Sequence, residues 1–148
     1  MKVEYSTRIE VIKDLTERIK NARDFVIEQK LDYSELGKLY YATRYKFYNL
    51  QAVSKKQSIK GTKLYNTLCN TIIAVDLCKM YCEDSTEFFK NLEVNEKLVN
   101  SFIDYQLMLD KRYNNKIQDY LYHKEAFESY MWAKVNEDDK KNGYDMLK

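Results

Sequence analysis

The sequence predicts an all-α fold: a single compact helical domain over residues 1–148, with five to six helices and the Lys63–Glu83 helix central. Two observations carry this. The 148 residues include no proline and only three glycines, Gly37, Gly61 and Gly143. Sandwiches and barrels need such residues for tight turns, and doubly wound folds need glycine where strands enter helices. In addition, apolar residues recur at three- and four-residue steps through most of the chain, which is the period of an amphipathic helix. At this length about two thirds of the unfolded surface can be buried, so the core needs no metal or disulfide staple.

The first helix is announced by the capping box Thr7-Arg8-Ile9-Glu10, whose glutamate can reach back to the cap. Ile12, Leu15, Ile19, Ala22 and Val26 then form one apolar stripe, with Asp14 and Arg18 one turn apart on the wet side. That stripe suits either a bundle core or a seam for self-association, so a homo-oligomer through this helix is one expectation. A second capping box, Asp32-Tyr33-Ser34-Glu35, restarts the chain, and Tyr33, Leu36, Tyr40, Thr43, Phe47 and Leu50 keep the spacing to about Val53. Ser54 to Thr62 has no periodicity and holds Gly61, and it reads as a long exposed loop.

The third helix, Lys63–Glu83, carries Leu64, Leu68, Ile72, Val75, Cys78 and Cys82 on one stripe, with Ile73, Leu77, Met80 and Tyr81 elsewhere. A helix apolar nearly all round belongs at the centre. A short fourth helix is expected behind an Asp84 cap with Glu87 three residues on, and it carries Phe88, Phe89 and Leu92. From Asn95 the pattern continues through Leu98, Phe102, Tyr105 and Leu109, then Tyr113, Ile117, Tyr120, Phe127 and Met131. Asn114-Asn115 marks a break, so this stretch is one long helix or two. Residues 136–148 are charged and patternless and read as a frayed tail.

Lys and Arg total 25 against 23 Asp and Glu, a net of +2, which is neither histone-like nor DNA-mimicking. Twenty lysines against five arginines, with 11 Asn and 14 Tyr, fit an AT-rich coding genome such as that of a low-GC bacterium, a phage or another mobile element. Three cysteines, an odd number, argue against a disulfide framework. The N-terminus is charged where a signal peptide needs an apolar run. The longest apolar stretch, Thr71 to Cys82, is interrupted by Asp76 and Lys79 and is too short for a bilayer. A cytoplasmic protein is expected, in the producing cell or an infected host, with no membrane partner.

Each catalytic constellation has a plainer counterpart. Cys69, Cys78, Cys82 and the single histidine, His123, could make a zinc site, but structural sites draw close cysteine pairs from turns. Here Cys69 precedes Cys78 by nine residues on one helix, among Ile72, Ile73, Val75 and Leu77, so reduced core thiols are expected. His123 as a catalytic base would need partners that only the fold can assemble, and it reads as a partly exposed histidine without catalytic duty. Asp84/Glu87 and Glu93/Glu96 read as helix N-terminal carboxylates, and Glu125/Glu128, beside Lys124, as a solvated face. No phosphate loop is present. No catalytic residue, metal or cofactor is expected.

The most informative feature is charge partition. Residues 31–63 carry seven positive and two negative groups, a net of +5, together with Tyr33, Tyr40, Tyr41, Tyr45, Phe47 and Tyr48. The candidate surface is Lys38, Tyr41, Arg44, Tyr45, Lys46, Tyr48, Lys55, Lys56 and Lys60. Its tyrosines suit a protein interface, and its cations suit phosphates. Within it, Leu39 to Phe47 resembles a segment of the helical HEPN nucleases, which implies an arginine followed closely by a histidine. Neither Arg44 nor Arg112 has one. Ser34 to Leu50 resembles a helix-turn-helix, with Leu36, Gly37, Ala42, Phe47 and Leu50 near its apolar positions, but Tyr41 stands where that motif has its turn glycine. One continuous helix is expected instead. The functional expectation is a non-enzymatic protein that binds a protein partner of unknown identity, as a phage or mobile-element regulator or inhibitor of a host system. A nucleic-acid-binding regulator using segment 31–63 is the alternative.

Overall fold

A computed structural model describes residues 8–53 and 63–109, together with Phe127, Tyr130, Met131 and Lys134; over 47–53 and at 109 it describes backbone only. The described residues form five helices and no strand: α1 (Arg8–Gln29), α2 (Tyr33–Val53), α3 (Lys63–Tyr81), α4 (Thr86–Lys90) and α5 (Glu96–Leu109). The fold is all-α. Internal contacts divide the chain into two units, Met1–Arg18 with Glu93–Tyr144, and Ile19–Leu92 with Asp145–Lys148. α1 contributes its first half to one unit and its second half to the other. Thr7, the 54–62 loop, the Asn114-Asn115 break and the 136–148 tail lie outside the described residues.

In the first unit the buried side chains are Val11 and Leu15 of α1, Leu98, Val99, Phe102 and Ile103 of α5, and Phe127, Tyr130 and Met131. The stripe on α1 therefore starts at Val11, and Ile12, the expected first member, is half-buried. Asn95 caps α5: its side-chain oxygen accepts the Leu98 N–H at 2.9 Å and its carbonyl the Val99 N–H at 3.0 Å. Arg8 Nη2 donates to Asn100 Oδ1 at 3.1 Å, tying α1 to α5. Polar groups are buried here too. Gln106 Oε1 accepts from the Tyr130 hydroxyl at 2.8 Å and from Lys134 Nζ at 3.1 Å, with all three residues at most 3% exposed. Arg18 lies 3.6 Å over the Phe127 ring while its Nε meets Asp14 Oδ2 at 2.9 Å.

The second unit is built round α3, which packs against α2 and buries Tyr65, Leu68, Cys69, Thr71, Ile72, Ile73, Ala74, Asp76, Leu77 and Cys78. Those residues cover most of its circumference, as a central helix requires. Ile19, Ala22 and Val26 of α1, Leu36 and Tyr40 of α2 and Phe89 of α4 complete this core. The α1 stripe from Val11 to Val26 is thus covered within the chain, at 0–2% exposure. Of the two arrangements the stripe suited, this is the bundle core.

The second unit's turns follow from local chemistry. α1 ends at Lys30, whose φ of 54° lets Leu31 N–H reach Val26 O and Lys30 N–H reach Ile27 O. This is the Schellman arrangement, with lysine where glycine is usual. α3 ends the same way at Cys82, φ 53°, with Glu83 N–H on Cys78 O at 3.0 Å. The capping box at α2 is reciprocal: Glu35 N–H donates to Asp32 Oδ1 at 2.8 Å, and Asp32 N–H to Glu35 Oε1 at 3.3 Å. The cap of α4 is Ser85 rather than Asp84. The Asp84 carbonyl instead accepts the Tyr33 N–H at 2.9 Å, and the Thr86 hydroxyl donates to Leu31 O at 2.6 Å. Two hydrogen bonds thus join the α1–α2 turn to the α3–α4 turn.

α2 is one continuous helix through Gly37 and Tyr41. A Cβ built on Gly37 meets no other described atom within 4 Å. Glycine inside a helix is disfavoured by about 0.5–1 kcal/mol relative to alanine, and no neighbour here requires it. Gly37→Ala is therefore expected to raise unfolding stability by about that amount in urea titration. Leu68→Ala, at a fully buried site on α3, is expected to lower it by about 2–5 kcal/mol through lost burial and a residual cavity.

Candidate functional site

The outward face of α2 is set by which of its side chains the core takes. Leu36, Tyr40, Thr43 and Arg44 are buried, so the opposite arc, with Lys38, Ala42, Tyr45 and Lys46, faces out. Lys38 and Lys46 stand two turns apart with Ala42 between them, Tyr45, 56% exposed, lies beside that row, and Glu35 is exposed on the same arc. Neither lysine makes an ion pair, and Tyr45 makes no ring contact, with another described residue. Tyr41 is half-buried at the edge of this face, its ring 5.2 Å from that of Tyr40. Tyr33, Gly37, Tyr41 and Tyr45 lie four residues apart in succession, forming a single ridge along the helix. Tyr33 is 38% exposed.

Arg44 is a correction to the sequence-based surface. It is 1% exposed, with its guanidinium carbon 5.5 Å from the Tyr40 ring centroid and 5.0 Å from that of Tyr41. The flat, weakly hydrated guanidinium and its methylene stem pack where a lysine ammonium would be costly to desolvate. The charge counted for segment 31–63 is thus not all surface charge. Of the other candidates, Tyr48 lies in α2 with its side chain outside the described residues, and Lys55, Lys56 and Lys60 lie outside them altogether.

The cysteine environment is resolved as well. Cys69 and Cys78 are buried, as expected for core thiols, but Cys82 is exposed because it occupies the left-handed residue that ends α3. Burial, with Asp84 and Glu83 adding to it, pushes the Cys78 thiol from its ordinary 9.0 up to about 11. No group of three or more His, Cys, Asp or Glu side chains is placed to hold a metal among the described residues. Glu87 meets Lys90 Nζ at 3.6 Å on an exposed face. His123, Glu125 and Glu128 lie outside the described residues. No helix among the described residues is long and apolar enough to cross a membrane. Compared with protein-family models, curated proteins and solved structures, the chain matches none of them.

Gly37 is the member of the ridge that charge counting overlooked. Its signal was present in the sequence as a four-residue spacing of Tyr33, Gly37, Tyr41 and Tyr45.

Two measurements check this geometry. Arg44→Ala is expected to destabilise the chain by about 2–4 kcal/mol in urea unfolding, as for other buried large side chains. Lys46→Ala, on the exposed face, is expected to change stability by less than about 0.5 kcal/mol. For Cys78 the folded state favours the neutral thiol, so its contribution to stability is complete below pH 9.0 and is lost as pH rises towards about 11. The urea midpoint is expected to fall over that window, and to fall less in Cys78→Ala.

Proposed function

We propose that this chain is a non-enzymatic helical protein that works by binding another protein through the outward face of α2. The observation that carries the reading is Tyr45, 56% exposed on the arc of α2 that also bears Lys38 and Lys46, the other face of the helix being anchored in the core. Tyrosine brings a large contact area with few torsions to freeze and a hydroxyl for orientation, which is why it recurs at binding hot spots. Helical placement keeps that area preorganised, so little ordering entropy is lost on association. The lysine-rich, arginine-poor usage supports a phage or mobile-element setting, in which the partner belongs to a host system and the meeting place is the cytoplasm.

The net +5 of segment 31–63 favours nucleic acid as a second reading. The burial of Arg44 weakens it, because the cation best suited to phosphate forks faces inward. The two readings separate by salt. Phosphate contacts release counterions, so affinity for DNA or RNA falls steeply as salt rises.

The test is a photo-reactive phenylalanine analogue at position 45, with one at exposed Lys20 as control, in lysate of the producing cells. A discrete protein adduct from position 45 alone is the expected result. Tyr45→Ala is expected to weaken binding of that partner at least about tenfold, as truncating a hot-spot aromatic does. Adducts only to nucleic acid, or equal adducts from both positions, would overturn the reading.

A further inference from the structure

We draw no further inference here: the strongest candidate, the surface patch where the α1–α2 turn meets the α3–α4 turn, with carboxylates Asp32, Glu83, Asp84 and Glu87 beside exposed Tyr33 and Tyr81, is an acidic cluster set among exposed Lys30, Lys79 and Lys90, and nothing in the structure shows what covers it.

Discussion

The second unit depends on a contact between two turns 55 residues apart. The Tyr33 N–H donates to Asp84 O, and the Thr86 hydroxyl donates to Leu31 O. Each bond adds only about 0.5–1.5 kcal/mol net. Their larger effect is geometric. They hold the first residue of α2 against the end of α3, and so set the rotation about its axis at which α2 meets α3. That rotation decides that Leu36, Tyr40, Thr43 and Arg44 go inward, and therefore that Lys38, Tyr45 and Lys46 go outward. The outward face of α2 is the remainder left by core packing.

Both turns reach this contact by the same means. α1 and α3 each end on a left-handed residue that is not glycine, Lys30 and Cys82. A side chain in that conformation is disfavoured by roughly 1–2 kcal/mol. It is held there because the Schellman hydrogen bonds pair backbone carbonyls that would otherwise lack partners at the helix end. At Cys82 the same geometry turns a cysteine out of the apolar stripe and into solvent, while Cys78, four residues earlier, stays buried.

Buried polar groups give each unit a second kind of constraint. In one, Gln106 accepts from both Tyr130 and Lys134; in the other, Arg44 packs by the rings of Tyr40 and Tyr41. Such groups add little net stability compared with apolar residues of similar volume. They discriminate strongly between registers, because a one-residue slip strands a charge or a donor without its partner. An apolar stripe alone tolerates such slips more readily.

The sequence by itself determined the helices and most of their ends. The Asp32 capping box, the continuous helix through Tyr41, the apolar girth of α3 and the buried Phe127 and Met131 were all legible, because caps and periodicity act within a few residues. Sequence also singled out the segment whose outward face is proposed to bind. It misplaced Ile12, Arg44 and Cys82, and its reading of the first helix left open whether the stripe closes within the chain or against a second copy. Those were decided by tertiary structure alone. A residue at the border of a helix's apolar arc goes inward or outward according to the neighbouring element, and a few tens of degrees of rotation separate the two outcomes. Arginine is read from sequence as surface charge, yet its long stem and flat head let it join a core when rings stand beside it. Only packing shows which of the two it does.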